Sequence, residues 1–189
     1  MLRAQLRSRD HRRAGVGVLL FFASAVVSAP ASADVVTVTA QGTIPSSCGL
    51  ALQNAFGAAN LNADGSISAS ALVNCNAPYR IRASSANGAL KTTTPAPAQF
   101  SNSLDYSLSV TVPLDVGGQI SATCTSATLV SGATGCTLSP ASASGLSSGS
   151  GTSTSKTAVL ALQWTLPTAT RLVAGNYADT VTITIAVQQ

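Results

Sequence analysis

The clearest pattern in the chain is strict alternation near its end. In Thr180-Val181-Thr182-Ile183-Thr184-Ile185-Ala186-Val187 the odd positions are aliphatic and the even ones mostly threonine. Successive side chains of a strand point to opposite faces, so the pattern predicts a closing strand whose Val181, Ile183, Ile185 and Val187 face the core. Leu104 to Val112 repeats it, with Leu104, Tyr106, Leu108, Val110 and Val112 alternating with Asp105, Ser107, Ser109 and Thr111. Further strands are predicted over Ser66 to Cys75, Tyr79 to Ala83, Gln119 to Cys124 and Thr157 to Trp164. No stretch after the first 33 residues carries a 3.6-residue apolar period. Short alternating runs with turn residues between them predict an all-β fold, a β-sandwich.

Two segments interrupt the alternation. Thr92-Thr93-Thr94-Pro95-Ala96-Pro97 cannot sit in a central strand. Ser139 to Ser155 is almost all Ser, Gly, Ala and Thr, which reads as a solvated, flexible connection. No internal repeat and no second domain is visible.

The first 33 residues have a different character. A basic stretch from Met1 to Arg13 precedes an apolar run from Ala14 to Val27, and Ala31-Ser32-Ala33 fits the small-residue rule for signal cleavage. The run is shorter than the ~20 residues of a bilayer-spanning helix, so a cleaved signal peptide is expected in place of an uncleaved anchor. Arg12-Arg13 is followed by Ala14-Gly15, where a twin-arginine signal wants more apolar residues. The expected mature chain, residues 34–189, starts at Asp34, is exported and has no membrane span.

Charge changes the picture by being misplaced. Five of the 10 Lys and Arg residues lie in the first 13 positions, and from Asp34 onward Arg80, Arg82, Lys91, Lys156 and Arg171 balance Asp34, Asp64, Asp105, Asp115 and Asp179. The body is neutral and lacks the basic stripe that nucleic-acid binding needs. It also has no glutamate, and the single His11 lies in the head. A Ser-His-Asp or Cys-His arrangement cannot be assembled, and the aspartates are scattered, mostly beside turns. Val116-Gly117-Gly118 lacks the lysine and following helix of a phosphate loop. No enzyme activity and no cofactor are expected. Cys48, Cys75, Cys124 and Cys136 are an even set in an exported chain, which implies disulfides, with three connectivities open. Their spacing, without histidine, does not suit zinc.

The order of features resembles a known family. Cys48 is followed by Phe56-Gly57, then by Val73-Asn74-Cys75-Asn76 with Tyr79 just after, then by Leu104-Asp105-Tyr106-Ser107-Leu108. The chain closes on Ala174-Gly175-Asn176-Tyr177-Ala178-Asp179-Thr180-Val181. This resembles the spore coat protein U domain, whose relatives include pilin subunits of the archaic chaperone–usher pathway. The second cysteine pair and the Ser/Gly run after it depart from that pattern.

The resemblance implies an incomplete, immunoglobulin-like pilin sandwich that serves as a structural subunit of a fimbria or coat, with a role in adhesion. The implied partners are a periplasmic chaperone, an outer-membrane usher and further copies of the subunit, and the implied location is the periplasm in transit and then the cell surface. It implies a strand leading into Cys48 and a Cys48–Cys75 disulfide. Cys124–Cys136 then closes a short loop compatible with a hairpin. Tyr177 and Asp179 are expected to order a turn before the closing strand. From Val35 to Ile44 the even positions Val36, Val38, Ala40, Gly42 and Ile44 are apolar or small, and the odd ones are largely polar. That segment reads either as a donor strand for a neighbour's groove or as the first strand of its own sandwich. A self-contained secreted sandwich that binds a ligand such as a carbohydrate is the other function class.

Overall fold

The computed structural model describes residues 41–188. Twelve strands follow one another: β1 (Cys48–Asn54), β2 (Gly65–Cys75), β3 (Tyr79–Ser85), β4 (Leu90–Lys91), β5 (Phe100–Ser101), β6 (Ser103–Leu104), β7 (Tyr106–Pro113), β8 (Gln119–Thr125), β9 (Leu146–Ser147), β10 (Ser153–Trp164), β11 (Arg171–Leu172) and β12 (Val181–Val187). The one helical element among the described residues is a 3-10 turn at Ser126–Leu129. The fold is all-β. A five-stranded antiparallel sheet runs β1-β2-β10-β7-β8, and a three-stranded one runs β12-β3-β9.

Alternation explains why these segments pair where they do. In β7, Tyr106, Leu108, Val110 and Val112 are buried, and the residues between them are half-buried. Ala158, Leu160, Leu162 and Trp164 of β10 are buried in the same rhythm. With Ala69, Ala71, Val73 and Cys75 of β2 and Tyr79, Ile81 and Ala83 of β3 they form one cluster, so both sheets contribute to a single core. The other face of the five-stranded sheet presents Ser68 of β2, Ala161 of β10, Ser109 of β7 and Thr123 of β8 in one row, with Ser109 and Thr123 hydroxyls 2.6 Å apart.

Turns and close approaches fix the ends of the sheets. Gly65 faces the Trp164 ring so closely that a Cβ there would lie 2.7 Å from Cζ2. The Trp164 indole N–H donates to the Ala63 carbonyl (3.0 Å), and Asp64 accepts from the Leu166 amide (2.7 Å). The turn before β2 is thereby stapled to the end of β10. Asp115 accepts from Thr152 and twice from Thr154, and lies 3.6 Å from Lys156. Those amide and hydroxyl bonds, ahead of the lysine, hold its carboxyl below the usual carboxylate range.

Four expectations change. Among the described residues no strand leads into Cys48: β1 begins there, and residues 41–47 are irregular. The run from Leu104 to Val112 is broken at Asp105 into β6 and β7. The Ser/Gly-rich stretch 139–155 packs instead of remaining a solvated connection, because small hydroxyls satisfy buried backbone groups. Ser148 accepts from the Tyr79 amide (2.9 Å) and donates to Gly151 O (2.8 Å), while Ser153 bonds the Tyr79 hydroxyl (2.7 Å). Within the stretch, Leu146 of β9 is buried opposite Ile81. The fourth change concerns β12. Its Val181, Ile183, Ile185 and Val187 share one face as expected, but all four are only half-buried, and Val187 stands outside the cluster against which the other three pack.

Candidate docking groove

The half-burial of β12 has a positional cause. Val181, Ile183 and Ile185 lie opposite Ser85, Ala83 and Ile81 of β3, which are 5 %, 1 % and 1 % exposed. Cross-strand partners point to the same face, so the β12 aliphatics are directed inward. They stay half-open because β12 is the edge of its sheet and no strand among the described residues pairs with its other side.

The facing edge repeats the arrangement. In β1, Cys48, Leu50 and Leu52 lie opposite Cys75, Val73 and Ala71, which are 0 %, 0 % and 2 % exposed. Leu52 is nevertheless 64 % exposed, and Leu50 only half-buried. Strand β1 is the edge of the five-stranded sheet and lies against β12. Val187 pairs with Tyr79, just past the short turn after Cys75, so Cys48 and Val187 mark the same end and the two edges run antiparallel. The two facing edges carry Leu50, Leu52, Val181, Ile183 and Ile185 toward the core side, and no strand among the described residues pairs with the outer side of either, which is the arrangement a strand-accepting groove would need. Such a site offers side-chain pockets and a hydrogen-bonding template together.

The remaining predicted residues are placed as follows. Cys48 bonds Cys75 across the β1–β2 register, and Cys124 bonds Cys136. Tyr177 donates to the carbonyls of Ser101 (2.9 Å) and Val173 (3.0 Å), holding the loop before β12. Asp179, next to β12, accepts from Ser85, Tyr106, Asn87 and Thr180. Val36, Val38 and Ala40 lie outside the described residues. Gly42 and Ile44 are exposed and in no strand, Ile44 at 86 %.

Sequence reasoning missed two features. One is Asn76, beside the groove's Cys48 end: its side-chain oxygen accepts from the Ser47 amide (2.7 Å) and its side-chain nitrogen donates to Pro45 O (3.1 Å). The Asn beside Cys75 was the only available signal. The other is a cavity of about 500 Å³ at the end of the five-stranded sheet, lined by Asp105, Ser107, Thr125, Gln163 and Trp164 among others. Among the described residues no three His, Cys, Asp or Glu side chains gather as a metal site would require. No helix there is long and apolar enough to cross a membrane. Comparison of the chain with protein-family models, characterised proteins and solved structures returns no match.

Proposed function

We propose that this chain is an exported structural subunit of a surface fimbria or coat, built as an incomplete immunoglobulin-like sandwich that accepts a strand from another chain. A periplasmic chaperone fills the groove in transit. At an outer-membrane usher the N-terminal segment of a neighbouring copy, residues 35–44, replaces it. The observation that carries this reading is the pair of facing edge strands, whose inward-directed aliphatics are left half-open and which no further strand among the described residues pairs. Each aliphatic covered there recovers about 1 kcal/mol of burial. The alternating segment 35–44 has the period that such a groove reads.

Deleting residues 34–42 tests it. The variant is expected to fold and to accept a donor strand, yet to be unable to donate one. Mixed with the intact chain, it should terminate growing fibres, counted by electron microscopy. Fibres of undiminished length containing the variant would sink the proposal.

The second reading, a binding module for a neutral saccharide, is favoured by the cavity whose lining brings the Asp105 carboxylate, the Gln163 amide and the Ser107 and Thr125 hydroxyls together with Trp164. Trp164 is the single tryptophan of the chain. Its fluorescence would respond to a bound sugar on this reading and stay unchanged on the first.

A further inference from the structure

We infer that the cleft beside β5 and β11 binds a carboxylate-bearing saccharide, with Arg171 taking the carboxylate and Phe100 the sugar ring. The inference does not rest on strand addition, since no residue lining the cleft belongs to β1 or β12.

Two loops build the cleft. Phe100 pairs with Arg171 and Ser101 with Leu172 in a parallel ladder. Arg171 N–H donates to Gln99 O (3.1 Å) and Val173 N–H to Ser101 O (2.9 Å). Gln99, Phe100, Thr168, Thr170 and Arg171 line a cavity of about 550 Å³, a size usual for small-molecule sites. Thr170 and Arg171 also line a second cavity of about 280 Å³, with Asn62 and Pro167. Arg171 therefore stands between two openings, where it can read one unit of an oligomer. Trp164 lines neither.

The charge of Arg171 is uncompensated. Arg80 and Arg82 donate to carbonyls and Lys156 lies beside Asp115. Among the described residues the Arg171 guanidinium has no hydrogen bond and no ion pair; Asp105, which lines a neighbouring cavity with Thr170, is not paired with it. Phe100 beside it is 42 % exposed. A guanidinium fork binds a carboxylate through two parallel hydrogen bonds. The exposed ring can cover the apolar face of a pyranose, while the Gln99 amide and the Thr168 and Thr170 hydroxyls answer its hydroxyls.

The backbone supplies an independent sign. Phe100 N–H donates to Pro97 O (3.0 Å), closing a turn whose third residue, Gln99, has φ +69°. A turn that needs the left-handed region there favours Gly or Asn. Glutamine is strained at that position, and strained residues gather at ligand sites. Other anions fit the cleft less well. Among the described residues no second Lys or Arg lines either cavity to help hold a phosphate. Strands β5 and β11 have two residues each, too short an edge for an added peptide strand.

The test uses the full chain, exported and purified, in equilibrium dialysis against oligomers of galacturonate, glucuronate and sialic acid. At least one should bind with a Kd below about 1 mM. Its methyl ester, which keeps the ring and removes the charge, should bind at least about tenfold more weakly. Arg171→Gln should lose at least about tenfold, and Arg171→Lys, which keeps the charge without the fork, should lose less. Both should unfold at the parent's temperature, because the side chain makes no bond within the described fold. Phe100→Ala should weaken acid and ester alike. Gln99→Gly should weaken binding while raising the unfolding temperature, a combination that a purely structural glutamine does not give; earlier unfolding would overturn the part assigned to Gln99. No binding across the panel, an ester bound as tightly as its acid, or parental affinity in Arg171→Gln overturns the inference. Equal affinity for triglutamate or inorganic phosphate does so too, by making the cleft an anion site without a sugar. None of these results bears on fibre assembly, which sedimentation reads separately.

Discussion

Four donors converge on Asp179: the Ser85 hydroxyl at 2.5 Å, the Tyr106 hydroxyl at 2.6 Å, and the amides of Thr180 and Asn87 at 2.8 and 3.0 Å. Ser85 ends β3 and Tyr106 begins β7, so one carboxylate ties the two sheets together at the start of β12. The sequence places Asp179 just ahead of the closing strand; its partners 94 and 73 positions away carry no local signal. The same bonds give a pH dependence. Burial first, and donation to the Asp179 carboxylate second, push the Tyr106 phenol well above its ordinary value of 10. A folded value above the unfolded one means that the tyrosine's contribution is full below pH 10 and is lost as pH rises through the folded value. Stability should therefore fall above pH 10. Tyr79 and Tyr177 are also pushed up, both mainly by burial, so Tyr106→Phe should flatten that fall only in part. Urea unfolding at pH 9 and at pH 11 checks this. An equal loss of stability in Tyr106→Phe and in the parent would assign the effect elsewhere.

At the scale of elements, what was legible depended on whether packing used period two. Strands β2, β3, β7, β8, β10 and β12 alternate between more and less covered side chains, fully buried ones in β2, β3, β7 and β10 and mostly half-buried ones in β8 and β12, and announce themselves in the sequence. Strand β1 does not, because Leu50 and Leu52 alternate with the small Gly49 and Ala51 in a run that is mostly exposed. The 139–155 stretch was misread for a related reason. Its order comes from Ser139, Ser148 and Ser153, buried through hydrogen bonds to backbone and to Tyr79, and hydroxyl bonding has no period. Arg82 helps to hold it, donating to the carbonyls of Ser142 and Ala143 (both 2.9 Å). Alternation reports which face a side chain takes, and how far that face is covered depends on what lies beyond the edge. Two isoleucines in register separate these effects: Ile81 is 1 % exposed and its partner Ile185 is half-buried, as is Ile183. Ile81→Asp buries a charge in the core and should abolish export of folded protein. Ile183→Asp should give a folded, exported chain, since water reaches the site, but one that cannot accept a donor strand. Sedimentation of the exported material checks this, and normal fibres from Ile183→Asp would mean the groove is not the joint.

At the scale of the whole molecule, charge and apolar surface are kept apart. The basic head is confined to the expected signal peptide, and the rest balances five basic residues against five acidic ones. Among the former, Arg80 and Arg82 donate to carbonyls and Lys156 lies beside Asp115. None of Leu50, Leu52, Val181, Ile183 or Ile185 carries charge, and the alternating segment 35–44 has none in its sequence. On the proposed assembly, long-range attraction has little to act on at that face, and joining is expected to be driven by apolar burial and backbone pairing. Electrostatically steered association slows steeply as salt screens it, whereas apolar burial is strengthened by salts excluded from protein surfaces. Fibre growth should change by less than about threefold between low salt and roughly 0.5 M sodium chloride, a range over which the screening length falls severalfold. Ammonium sulfate at matched ionic strength should accelerate it. Light scattering from the purified mature chain follows both. A drop of about tenfold or more in sodium chloride would place charged groups at the joint and would contradict an apolar groove as the site of assembly.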